Sequence, residues 1–145
     1  MRIWLLPGTT KVYALADLER YGEALSAHEE ALRLDPDFVD AWNGKGTALA
    51  NLERYDEALS AYEEALRLDP EDVDGWHNKG AALYNLNRDD EALSAYEEAL
   101  RLDPDGAGVW QDKGEALNQL GRYRAAERSY KKARDLGYED EEDQG

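Results

Sequence analysis

The side chains best equipped for acid–base or metal chemistry are two histidines, His28 and His77, and three carboxylate pairs, Glu29-Glu30, Glu63-Glu64 and Glu97-Glu98. A metal site on one helix needs ligands four residues apart, and neither histidine has a His or Glu at that spacing. A carboxylate pair that transfers protons needs one member desolvated so that its pKa rises. Adjacent glutamates on an exposed helix face lack that environment. Arg33, Arg67 and Arg101, three or four residues on, read instead as their partners along the same face. The chain has no cysteine, hence no thiolate ligand, disulfide or cysteine nucleophile. It also has no Gly-rich phosphate loop and no nucleophile elbow. These residues predict no enzyme, no metal and no cofactor.

The spacing of the glutamate pairs is the stronger signal. They belong to a fifteen-residue block, DEALSAYEEALRLDP, present unchanged at Asp56–Pro70 and at Asp90–Pro104, an offset of 34. A third copy, Gly22–Pro36, differs only at Gly22 and His28, and a degenerate fourth begins at Arg124. Over whole units, 39–72 and 73–106 agree at 25 of 34 positions. A fixed period of this length means stacked supersecondary units that bury their cores against one another.

Each unit reads as two helices. In 39–72 the first runs from about Asp40, placed as N-cap, to Leu52, with Trp42, Gly46, Leu49 and Leu52 as its apolar stripe. The turn Glu53-Arg54-Tyr55 follows. Asp56 is placed as the next N-cap, Leu59, Tyr62, Ala65, Leu66 and Leu68 form the second stripe, and Asp69-Pro70 ends the helix. Glycine inside a helix costs roughly 1 kcal/mol relative to alanine. Its return at Gly46, Gly80 and Gly114 predicts a close approach of two helix backbones there.

The phased residues Trp42, Gly46, Leu49, Ala58, Tyr62, Ala65 and Pro70, repeated as Trp76, Gly80, Leu83, Ala92, Tyr96, Ala99 and Pro104, resemble the tetratricopeptide repeat over roughly Thr9 to Gly137. The resemblance implies an all-α, right-handed helical-repeat solenoid of antiparallel helix pairs, with about three and a half repeats of 34 residues in units of about 9–38, 39–72, 73–106 and 107–137. It also implies that first helices line a concave groove that takes a peptide or protein segment, and that the fold brings no catalytic residues of its own. Carried over position by position, the groove is expected to present Asp40, Asn43, Thr47 and Asn51, then Asp74, His77, Tyr84 and Asn85, then Gln111, Glu115, Asn118 and Gln119. Family members that clamp a terminal carboxylate do so with lysine and arginine. Asn43, Gly108 and Asp112 occupy those places here, which argues against that ligand.

The ends depart from the pattern. Counting back one period from Trp42 and Gly46 reaches Gly8 and Val12, so the first unit lacks both anchors, and its first helix is expected to be short, from about Thr9 or Thr10 to Leu18. After Gly137, residues 138–145 form an acidic tail of disordered composition, too short for a closing helix. Arg122, Arg124, Arg128, Lys131, Lys132 and Arg134 make the last helix basic, while the corresponding stretch of the first unit is acidic. This raises a second reading, head-to-tail self-assembly into a filament, tube or ring through uncapped ends, with Ile3, Trp4, Leu5 and Leu6 as an added contact. A net charge of −16 over 145 residues argues against nucleic acid and against an anionic membrane surface. The expected partner is a protein or peptide, or the chain itself. A cytoplasmic location is the default in the absence of a recognised export signal.

Overall fold

A computed structural model describes residues 9–139. Ile3, Trp4, Leu5 and Leu6, and the tail beyond residue 139, lie outside the described residues. Among those described there are seven helices and no strand. They are α1 (Thr9–Leu34), α2 (Val39–Asn51), α3 (Tyr55–Leu68), α4 (Val73–Asn85), α5 (Asp89–Leu102), α6 (Ala107–Gln119) and α7 (Tyr123–Asp135). The chain divides into two compact units, one ending at Leu68 and the other starting at Asp69. In the first, α2 packs against both α1 and α3; in the second, α4 pairs with α5, α6 pairs with α7, and α5 packs against α6.

The helix pair is held by a ring laid on a glycine. A Cβ built on Gly46 would stand 2.5 Å from Cε1 of Tyr62, and the same holds for Gly80 with Tyr96 and Gly114 with Tyr130. The recurring glycine therefore admits a tyrosine ring from the second helix, and the expectation of backbone against backbone is corrected in that respect. Around this contact Ala48, Leu49, Ala58, Leu59, Ala65 and Leu66 are buried in the first unit, and Ala82, Leu83, Ala92, Leu93, Ala99 and Leu100 in the second.

The connections between pairs are equally regular. The Asp35 carboxylate accepts the Asp37 N–H at 3.2 Å, and Asp69 and Asp103 do the same for Glu71 and Asp105. Such a turn, with proline at its centre, stops the second helix. The indole N–H of Trp42, Trp76 and Trp110 then donates to the carbonyl of Pro36, Pro70 and Pro104, each at 2.8 Å. Tryptophan and proline are thus phased together because one hydrogen-bonds the other. Inside a pair, α2 ends with Glu53 in the left-handed region at φ 59°, α4 with Asn87 at 60° and α6 with Gly121 at 75°. At these ends Arg54, Arg88 and Arg122 donate their N–H back to Leu49, Leu83 and Leu117, which terminates the helix.

Two local expectations are corrected. Asp40 and Asp56 lie one residue inside their helices; Phe38 caps α2 without a side-chain hydrogen bond. Their carboxylates act on the positive end of the helix dipole in its first turn. More consequentially, α1 is one continuous helix with no turn after Leu18. Leu18-Glu19-Arg20-Tyr21 is the same tetrapeptide as Leu52-Glu53-Arg54-Tyr55, which does turn. Placing a glutamate in the left-handed region costs on the order of 1 kcal/mol. Folding back onto the next helix offsets that cost only where Trp42 and Gly46 anchor the first helix. Gly8 and Val12 stand at the equivalent positions, so helix propensity carries the chain straight through.

Two glycine substitutions should therefore act in opposite directions. Gly80→Ala forces a methyl into the Tyr96 ring and should lower unfolding free energy by about 1–2 kcal/mol. Gly108→Ala, with nothing within 4 Å of the new Cβ, should raise it by about 0.5 kcal/mol. Denaturant unfolding checks this, and gains at both sites would contradict the packing described.

Candidate functional site

Each first helix turns one face into its partner and leaves the opposite face for other contacts. On α2, Asp40, Thr47 and Asn51 are exposed and Asn43 is half-buried. Thr47 Oγ1 lies 3.2 Å from the Tyr62 hydroxyl, so a face residue caps the ring that fills the pair's core. Burial raises the Tyr62 phenol pKa, and the Thr47 hydrogen bond opposes the shift.

In the second unit the face is built from α4 and α6 together. His77 Nε2 of α4 lies 2.7 Å from Asp112 Oδ2 of α6, with both side chains about one third exposed. The His77 ring meets Tyr96 edge-on, centroids 5.9 Å apart at 63°. About two helical turns further along α4, Tyr84 is half-buried with Gln119 as a hydrogen-bond partner, and the Glu115 carboxylate is close enough to act on it. Burial pushes the Tyr84 phenol up, Glu115 adds to this, and Gln119 opposes it. Tyr96, only 2% exposed, is driven far above the ordinary phenol value by burial, then by the Asp112 and Glu115 carboxylates. Asp74, Asn85 and Asn118 are exposed and Gln111 half-buried on the same helices. The Asn85 amide donates to the Ala81 carbonyl at 2.9 Å.

The structure thus brings together His77 with Asp112, and Tyr84 with Glu115 and Gln119. Asp112 and Tyr96 were missed as members of this cluster. A signal existed for Asp112: it stands 35 residues after His77, one period plus one, which places it beside His77 on the next first helix. The histidine–carboxylate pair lies against a buried tyrosine whose phenol is held protonated by burial. What it offers is a rigid surface of mixed polar and aromatic groups. No group of three or more metal-ligating side chains occurs among the described residues, and no described helix is long and apolar enough to cross a membrane.

The basic residues Arg122, Arg124, Arg128, Lys131 and Lys132 are exposed on or just before α7, where Lys131 pairs with Asp135 at 2.8 Å. The outward face of α7 differs in chemistry from that of α5. Leu93 of α5 is buried in a cluster with Leu117 and Ala126 of the following repeat. One period later, the positions of Leu93 and Leu100 are occupied by Glu127 and Arg134, both exposed. Gly137, at φ 97°, ends α7, with the Tyr138 N–H donating to the Ala133 carbonyl at 2.9 Å.

Three glycine–tyrosine helix pairs preceded by α1, with the polar faces of α4 and α6 joined, define a helical-repeat scaffold of the protein-interaction class. Two family models, both described as Tetratricopeptide repeat, match residues 9–73 and 45–107 in one case and 88–142 in the other. The chain belongs to the tetratricopeptide repeat family. Among solved structures it is similar to a crystal structure of MamA, with TM-score 0.77 and 22% identity over 83% of this chain and 71% of that one. It is also similar to MamA from residue 41 onward of Desulfovibrio magneticus RS-1, with TM-score 0.77 and 25% identity over 86% and 70%. For MamA of AMB-1 the TM-score is 0.70 and identity 28%, over 77% and 66%. These likenesses show a tetratricopeptide solenoid fold. No curated protein sequence matches the chain.

The buried phenols carry a pH dependence whose sign is fixed. Below pH 10.0, the ordinary phenol value, folded and unfolded chains both keep the Tyr96 proton, and the group adds no pH dependence. As pH rises through that value the unfolded chain ionises first, so the folded state loses stability. The fall in unfolding free energy above about pH 10 should be shallower in Tyr96→Phe, which leaves the raised Tyr62 and Tyr84 phenols. Parallel curves for the two proteins would contradict the assignment.

Proposed function

We propose that the protein is a non-catalytic interaction scaffold that holds a peptide or protein segment against the outer faces of its first helices, with α4 and α6 as the principal surface. The observation that carries this reading is the joining of α4 and α6 through His77–Asp112 and Tyr84–Gln119. Side chains already fixed by one another lose little conformational freedom on binding, which favours affinity. Tyr84 supplies a flat partly apolar contact, while Asn118, Gln119 and the Asn85 carbonyl oxygen suit the donors and acceptors of a peptide backbone. Asp40, Asn43, Thr47 and Asn51 of α2 are the matching residues of the first unit, and Asp74, Gln111 and Glu115 complete the set. Given the overall charge, a neutral or basic segment suits this face better than an acidic one.

Head-to-tail self-assembly remains the second reading of the charge asymmetry. Its C-terminal contact would rest on charge alone, because Glu127 and Arg134 replace the leucines that join successive repeats. That favours the binding module.

A random-peptide display selection against the whole protein tests the proposal. Enriched peptides should lose affinity about tenfold or more on the combined substitution Tyr84→Ala, Asn85→Ala and Asn118→Ala, with the helical signal unchanged. Undiminished binding by that variant would overturn the assignment of the face.

A further inference from the structure

The three complete helix pairs share a second, chemically different feature away from the first-helix face. Each has a cavity between the tryptophan of its first helix and the outer side of its second, of about 460 Å³ at Trp42, 420 Å³ at Trp76 and 440 Å³ at Trp110. In each, a lysine Nζ sits over the indole: Lys45 at 5.4 Å, Lys79 at 5.3 Å and Lys113 at 5.1 Å from the ring centroid. Shape and aromatic wall are therefore constant, and only the charged rim varies.

That rim reverses in the last repeat. The Trp42 cavity has three carboxylates, Glu29, Glu57 and Glu64, against Lys45 and Arg54. The Trp76 cavity has Glu91 and Glu98 against Lys79. The Trp110 cavity has four bases, Lys113, Arg122, Arg128 and Lys132, against Glu97 alone. Position by position, Glu57 and Glu91 become Ala125, Ser60 and Ser94 become Arg128, and Glu64 and Glu98 become Lys132. The internal neutralisation disappears as well. Arg54 and Arg88 are paired with Glu57 and Glu91 at 2.5 Å. Among the described residues no ion pair joins Arg122, Arg128 or Lys132 to a carboxylate, and Glu97 reaches only Lys113, at 3.8 Å.

We propose that the Trp110 cavity is a binding site for a short acidic protein segment, whose carboxylates are taken by Arg122, Arg128 and Lys132 while its chain lies on the Trp110 indole. The cavity's volume suits a few side chains, not an extended polymer. The net charge of −16 repels a long polyanion over the whole surface, whereas a short segment senses mainly the local bases within the screening distance. The site differs in location and in preferred charge from the first-helix face, so one molecule can join an acidic partner to another held by α4 and α6.

The repeats provide their own controls. Ala125→Glu, Arg128→Ser and Lys132→Glu together restore the lining of the other two cavities, with residues this scaffold already accommodates there. Glu91→Ala, Ser94→Arg and Glu98→Lys transplant the basic rim to the Trp76 cavity. Fluorescence anisotropy at low salt with a labelled, end-blocked hexapeptide of alternating Glu and Asp, and with its Gln/Asn counterpart, reads the result. Wild type should bind the acidic peptide and not the neutral one. The restored variant should bind about tenfold or more weakly, and the transplanted variant should take up a second equivalent. Tyr84→Ala should leave this binding unchanged, which separates it from the first-helix face. Equal binding by wild type and the restored variant would overturn the proposal. So would inorganic phosphate competing as well as the peptide, or peptide-reversible self-association in light scattering, which would give the cavity to a bare anion or to a second copy.

Discussion

A tyrosine ring resting on a helical glycine is the contact on which the rest of this structure depends. It brings the two helices of each pair close enough for Ala58, Ala65, Ala92 and Ala99 to be wholly buried between them. It also determines which face of the first helix remains outside. The loss of helix propensity at Gly46, Gly80 and Gly114, about 1 kcal/mol each, is offset by burial of a large aromatic side chain that a Cβ would exclude. The hydroxyl at the far end of that ring then meets the outer face, at Thr47 directly and through the Asp112 and Glu115 carboxylates around Tyr96. The far end of the ring thus lies where core and surface meet.

Against this constant frame the molecule differs from repeat to repeat in three places. The α4–α6 face carries the His77–Asp112 and Tyr84–Gln119 links. The cavity beside Trp110 exchanges acidic for basic side chains. The outward side of α7 carries Glu127 and Arg134 where α5 has Leu93 and Leu100. None of these changes replaces the glycine or the tyrosine itself, although His77 packs edge-on against the Tyr96 ring.

The period, the helix pairs and their anchors were legible in the sequence because they depend on contacts repeated at fixed spacing, and Trp42 with Pro36 or Gly46 with Tyr62 appear again one period later. Two features were not. The tetrapeptide after residue 17 is identical to one that turns, and whether it turns is decided by anchors about six to thirteen residues earlier, through Trp42 and Gly46 and their missing counterparts. The partnership of His77 with Asp112 depends on how neighbouring first helices lie side by side, a property of packing that no single helix pattern contains. Near-identity of the repeats was most useful where it broke, since a substitution between equivalent positions isolates one change of chemistry on an unchanged backbone.

In the proposed function, scaffold and recognition are separate layers, the first set by glycine and tyrosine, the second by the outer face of the first helices. Giving α4 the second repeat's residues at three outer positions, His77→Asn, Ala81→Thr and Tyr84→Ala, tests it most directly, by thermal unfolding followed alongside binding of display-selected peptides. The account predicts a cooperative transition within about 3 °C of wild type together with loss of peptide binding. A collapse of the melting temperature, or peptide binding that survives the exchange, would contradict it.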